Sequence, residues 1–274
     1  MAGLPRSALL AAWGTATLAG RIGVDTAVRV VSGCDEPHRV EPTTSAEPGR
    51  PTSSVPGLSG GLEDLLTTLA GLGAVALRVV LPAPGDPLGL PGPAPLTRAA
   101  VDAGECVLVA PGHLGIALVP RVHRFGTALE PGAMVTWEVF PATDRTPVVT
   151  RLAEAEAELA AVMREATDQL TGLDVARLGP EAAAALPALR SRGLPPGSLP
   201  EVTPARSVRV LTAAVRLRAI VSLASLDTGG ARTAGEMEQR DAALRSLDAV
   251  ARRAVAAAVN DIPAAPSGQV LRGS

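Results

Sequence analysis

Gly57-Leu58-Ser59-Gly60-Gly61 matches G-x-S-x-G, the pattern that carries a nucleophilic serine between a strand and a helix. Here a helical pattern follows, but a polar Pro/Thr/Ser stretch precedes. The histidines downstream are His113 and His123, with none in the last 151 residues. Ser59 therefore reads as loop and helix-cap chemistry. Cys34, Asp35, Glu36 and His38 sit within five residues, and Cys106, His113 and His123 lie further on. These are metal-ligating types without Cys-x-x-Cys or His-x-x-x-His spacing. Pro37 also keeps a regular helix from presenting Cys34 and His38 on one face. The expected metal content is none, and the bland alternative is a polar loop with two buried thiols. Glu105 and Glu138 are acid–base types whose placement the sequence leaves open. Gly71-Leu72-Gly73 precedes a strand, the wrong order for a dinucleotide fingerprint.

Leu81–Pro93 is the most unusual segment, alternating proline with glycine. It predicts a stiff loop with few backbone donors, poor at holding phosphate. Such a loop suits a rigid platform carrying Asp86, Leu88 and Leu90 to a partner or ligand. The equal alternative is a surface crossover packed by its own leucines.

Composition excludes several classes. All 25 basic residues are arginine, so Schiff-base chemistry, lysine-linked pyridoxal phosphate and a Walker-A loop are out of reach. Tyrosine is absent, Asn260 is the sole asparagine, and the aromatics are Trp13, Phe125, Trp137 and Phe140. That is too little stacking surface for single-stranded nucleic acid. A net charge of −2 gives no field that attracts DNA or anionic lipid. No apolar run reaches the ~18–20 residues of a membrane span. Two cysteines are too few for a disulfide scaffold, so a cytoplasmic location is expected. Arg6 before Ala8–Trp13 imitates a signal peptide but lacks a convincing cleavage site, and reads better as an amphipathic helix.

With 47% apolar residues in 274, the chain can bury a sizeable core. It reads as a soluble, mostly helical α+β protein. Residues 1–40 form an N-terminal helical segment, with Ser7 capping a helix to about Ala19 and Asp25 capping one to Val31. Residues 41–57 read as a flexible linker, holding one sizeable apolar side chain, Val55. Residues 58–148 predict a small α+β module. Its helices are marked by Leu62, Leu65, Leu66 and Leu69, and by Leu96–Ala103. Its strands are Ala74–Leu81, Glu105–Val109, Gly115–Val119 and Met134–Phe140. The sheet would be small, mixed or antiparallel, with one or two helices on it. Residues 149–262 predict a three-helix bundle, and 263–274 a disordered tail. Within 151–170 two arginines face five acids, net −3, whereas 204–226 carries Arg206, Arg209, Arg216 and Arg218, net +4. An acidic helix beside a basic one sets a register. Arg218 falls among apolar positions, as an anion ligand or, more simply, paired with a carboxylate.

Several segments carry a resemblance. These are Leu10-Ala11-Ala12-Trp13-Gly14-Thr15 with Leu18–Arg21, Asp35–Val40, the Pro82–Pro93 loop, and Phe125–Gly132. Together they resemble an uncharacterised family of proteins from high-GC actinobacteria. The resemblance implies no activity and supplies no catalytic residues.

With so little catalytic vocabulary, the leading expectation is a non-catalytic cytoplasmic binding or regulatory protein that presents the Pro82–Pro93 loop. A protein partner or a homodimer is expected, and no cofactor. The alternative is an enzyme or small-ligand binder whose site lies where Asp35, Glu36, His38 and Arg39 meet that loop.

Overall fold

A computed structural model describes residues 4–43, 58–87, 90, 92–127, 129–143, 150–172, 193–226 and 234–266. The chain divides into two compact units. One takes in Thr150–Pro195 and Pro204–Ala258, and the other Leu4–Val149, Pro196–Thr203 and Val259–Ser274.

The second unit is built on a six-stranded mixed sheet. Its strands are β1 (Arg39–Pro42), β2 (Gly60–Gly61), β3 (Ala76–Val80), β4 (Cys106–Ala110), β5 (Ile116–Gly126) and β6 (Pro131–Pro141). Their order is β2-β1-β6-β5-β4-β3, with β1 parallel to β6 and the other pairs antiparallel. The sheet exceeds the sequence expectation at one end of that order, by β1 and β2. Strand β1 has one buried side chain, Val40, so no alternation betrays it, and it runs from the end of the segment read as helical into the segment read as a linker. Residues 44–57 lie outside the described residues. Strand β5 runs further than expected because its outer half buries little, and β6 begins earlier because Pro131 and Gly132 read as turn residues.

Four helices belong to this unit, two from the N-terminal segment and two from residues 58–148: α1 (Arg6–Leu18), α2 (Val24–Ser32), α3 (Leu62–Gly71) and α4 (Ala94–Ala103). Leu96 and Ala100 of α4 cover one sheet face with Cys106, Leu108, Ala117, Val119 and Phe140. Helix α1 lies against β3 and β4 and also meets α2 and α3. Ten of its thirteen residues are buried, so it is a core helix and not an amphipathic one. Gly14 permits that approach, because a β-carbon there would collide with Leu77 and crowd Leu66. Ser7 is not its cap. The Ser7 N–H donates to Glu105 Oε2 at 2.8 Å, which satisfies an orphan donor of the first turn from a distant carboxylate. Asp25 likewise lies inside the first turn of α2, after Gly23. Ser59 is exposed, and Asp64 caps α3 by accepting from Gly61 N–H at 2.9 Å.

Strand β3 ends the sheet, and its outward backbone groups are covered. The Thr15 hydroxyl accepts from Leu77 N–H at 2.9 Å and donates to Leu77 C=O at 3.1 Å. The Asn260 side chain does the same for Val79, with Oδ1 accepting from its N–H at 2.8 Å and Nδ2 donating to its C=O at 3.0 Å. Ala265 N–H donates to Val75 C=O at 3.0 Å. Each side chain thus takes the place of a neighbouring strand.

The first unit holds three long helices, α5 (Leu152–Gly172), α6 (Ala205–Leu226) and α7 (Ala234–Asn260), the last of which ends in the sheet-bearing unit. The expected broken helical connection over Leu173–Leu189 and the turn at Asp227–Gly230 fall outside the described residues. Glu156 of α5 pairs with Arg206 of α6 at 2.6 Å, and Glu158 of α5 with Arg253 of α7 at 2.6 Å. Arg218 is matched by Asp248 of α7 at 3.2 Å, the simpler of its two expected roles.

Candidate functional site

The Asp35–Arg39 segment joins α2 to β1, and its polar groups divide between buried and exposed. Asp35 receives a bidentate pair from Arg6, with Nε to Oδ2 at 2.7 Å and Nη2 to Oδ1 at 2.9 Å. His38 is buried, with its Nε2 3.4 Å from Asp35 Oδ2. Trp137 of β6 donates its Nε1–H to His38 Nδ1 at 3.2 Å. An indole N–H can only donate, so Nδ1 is the acceptor and the ring proton sits on Nε2, directed at Asp35. The result is a chain running Trp137, His38, Asp35, Arg6.

Its electrostatics follow from burial and neighbours. Burial pushes the Asp35 carboxyl up, but the Arg6 bonds and charge, with His38, outweigh it and hold it below its ordinary value. Burial pushes His38 down, and Asp35 only partly restores it. The hydrogen bonds that Arg6 donates to Asp35 raise Arg6 against its own burial. His38 is therefore neutral at pH 7, with both ring nitrogens engaged. This geometry locks a loop onto a strand. Glu36 and Arg39 flank it on the exposed side, and Glu36 N–H bonds Ala133 C=O of β6 at 2.8 Å.

The Pro82–Pro93 loop leaves β3, with β4, β5 and β6 lying between that strand and β1 in sheet order. The structure thus brings Asp35 and His38 together, but leads Asp35–Arg39 and the loop from separate strands. Asp86 closes a tight turn, exchanging backbone bonds with Ala83 at 2.9 and 3.0 Å. Gly85 takes the positive φ of 79° that this Pro84-Gly85 turn demands. Leu90 is half-buried against the α4 core. Leu88 lies outside the described residues.

The thiols differ: Cys34 is exposed, whereas Cys106 is buried in the core, where burial pushes its thiol up. His113 and His123 are exposed on other elements. Among the described residues no group of three or more His, Cys, Asp or Glu is placed to hold a metal ion. No helix among them is long and apolar enough to cross a membrane.

Sequence reasoning missed the outer half of the β5–β6 hairpin. β4 pairs with β5 only at Leu118 and Ala117, and β1 joins β6 only from Thr136 onward. Arg121–Gly126 and Pro131–Val135 therefore run past both neighbours as a two-stranded ribbon. Phe125 is 46% exposed and Leu129, at the tip, 94%. The Phe125 ring rests on Gly132, the residue opposite it, where a side chain would collide. The Thr127 hydroxyl accepts from Leu129 N–H at 3.3 Å and Glu130 N–H at 3.2 Å, which orders the tip. Arg121 pairs across the strands with Glu138. An aromatic before Gly126 and the turn residues at 130–132 were the available signals.

Two family models cover this chain. One, described as the Rv1486c-like protein N-terminal domain, matches residues 7–155, and the corresponding C-terminal domain matches 153–256. The chain belongs to the Rv1486c-like protein family, in agreement with the actinobacterial resemblance. It is 29% identical over 285 residues to "Uncharacterized protein Rv1486c" of Mycobacterium tuberculosis (strain ATCC 25618 / H37Rv), covering 93% of this chain and 96% of that protein. It is also 29% identical over 237 residues to "Uncharacterized protein ML1804" of Mycobacterium leprae (strain TN), covering 78% and 74%. No solved structure matches it.

Proposed function

We propose that this member of the Rv1486c-like family is a non-catalytic cytoplasmic protein that binds a protein partner through its sheet-bearing unit. The observation that carries this reading is the β5–β6 ribbon, which extends beyond its neighbouring strands with Phe125 and Leu129 exposed. Exposed apolar residues on an ordered projection fit recognition. The groups best suited to chemistry are committed elsewhere: Asp35 to Arg6, His38 to Trp137 and Asp35, and Glu105 to the start of α1. Asp35, Glu36, His38 and Arg39 form the base against which the ribbon is braced. Asp86 and Leu88 supply a second contact from the stiff loop, and Leu90 anchors that loop to the core. Helices α5, α6 and α7 form a three-helix bundle, a reading supported by the ion pairs that join each helix to the other two.

The test is native mass spectrometry of the protein purified from its own host, beside a Phe125→Ser/Leu129→Ser variant. A second protein retained by the wild type and lost in the equally stable variant is expected. A retained metal or small molecule without a partner, or identical retention by both forms, overturns the reading. Asp86→Ala with Leu88→Ala is expected to weaken retention, and unchanged retention removes the loop from the surface.

A further inference from the structure

The ribbon has two long edges, and they differ. On β6, Glu36 N–H bonds Ala133 C=O, β1 pairs from Thr136 to Val139, and Thr43 N–H bonds Val139 C=O. That edge is covered. The β5 edge is not. In an antiparallel pair, alternate residues turn their N–H and C=O away from the partner. The phase is set by Thr127 N–H bonding Glu130 C=O at 3.2 Å, and by Pro120, Pro131 and Pro141, whose places in the register need no inward N–H. By that phase Leu118, Pro120, Val122 and Arg124 face outward. Leu118 lies opposite Val107 of β4. Among the described residues, nothing bonds the outward N–H and C=O of Val122 and Arg124.

We propose that this edge takes an extended, acidic and apolar segment of a partner protein as an added strand beside Val122 and Arg124. The inference rests on the binding role proposed above and specifies how the partner docks. Main-chain bonds would supply affinity and alternate side chains specificity. The chemistry of the occupant follows from the strip itself. Residues 121–126 carry Arg121, His123 and Arg124 and no acid. Arg124 and His123 have no acidic partner among the described residues. Arg121, already paired with Glu138, alternates with His123 and Phe125 on one face, and Val122 with Arg124 lies on the other. An incoming strand with a carboxylate beside Arg124 on the second face and apolar side chains against Phe125 on the first matches both. A second copy of this chain fits poorly. Two-fold pairing of β5 with itself would set two strips, each holding two arginines and a histidine, side by side.

The probe is a short peptide alternating valine with glutamate, followed by fluorescence anisotropy, with a valine–arginine peptide as control. Saturable binding of the acidic peptide is expected, with the amides of Val122 and Arg124 newly protected from hydrogen exchange. Val122→Pro removes one outward N–H without touching the ladder to β6, as Pro120 already does two residues earlier. It should weaken binding about tenfold. Arg124→Glu should weaken it by a similar factor. Absence of saturation up to about 1 mM overturns the proposal, as does equal binding of the arginine peptide or of Val122→Pro. A wild-type dimer that Val122→Pro dissolves makes a second copy the occupant and also overturns it. The two levels separate cleanly. If the native partner is lost on Phe125→Ser/Leu129→Ser but kept by Val122→Pro, the binding role stands and strand addition falls. If neither variant changes retention, the binding role itself falls.

Discussion

The β3 edge of the sheet and the outer β5 edge pose the same problem and receive opposite treatments. Both present backbone donors and acceptors with no strand beside them. On β3 the chain spends a threonine from α1, its sole asparagine and the backbone of Ala265 to occupy Leu77, Val79 and Val75. These partners come from positions 15, 260 and 265, so long loops had to close to bring them there. On β5, among the described residues, the outward groups of Val122 and Arg124 are guarded only by charge. An edge that is capped at such entropic cost is structural. One that the described residues leave open fits the docking proposed above.

The contrast can be broken at the closed edge first. Asn260→Ala would strip both partners from buried Val79, and urea denaturation should show a loss of about 2–4 kcal/mol. A change below about 0.5 kcal/mol would mean that the edge does not depend on its cap. Thr15→Val keeps the shape but orphans Leu77, with an expected loss of about 1–3 kcal/mol that Thr15→Ser largely restores. The loop that braces the ribbon responds to pH. His38 is held below the 6.5 of an unstructured histidine, so the unfolded chain binds the proton first. Stability from this group is present above pH 6.5 and is lost as pH falls through the lower native value. Asp35, held below 3.8, stays ionised in that window. Urea melts at pH 7 and pH 5 should show the fall in the wild type and a flatter response in His38→Asn. The smallest effect belongs to the open edge. Val122→Pro should change stability by less than about 1 kcal/mol, because its N–H has no partner to lose among the described residues.

Periodicity made much of the fold legible. Leu62, Leu65, Leu66 and Leu69 mark α3, and Val135, Trp137 and Val139 mark β6, because one face of each is buried. Strand β1 stayed hidden, since a strand held mainly by parallel backbone pairing needs few apolar side chains. The outer ribbon stayed hidden because Arg121–Gly126 alternates too little to declare a face. Of the candidate site, Asp35 and His38 were picked out as chemical types, but Arg6 and Trp137 were not. Their bonds span 29 and 99 residues, and no local pattern encodes such a pairing. A buried indole N–H does demand an acceptor, so Trp137 carried a signal without an address. The same holds for Asn260, whose rarity was plain and whose role was not.

Asn260 also sets a clock. It follows Ala110, the last residue of β4, by 150 positions, and Val79 by 181. At about 5–20 residues per second, β3 waits on the order of ten seconds or more on the ribosome before its cover is made. Throughout that interval β3 has only the cap that Thr15 gives Leu77, and the outward groups of Val79 and Val75 stay bare. A piece cut to residues 7–155 would leave Val79 and Val75 uncovered permanently, and should stick to copies of itself more than the full chain does.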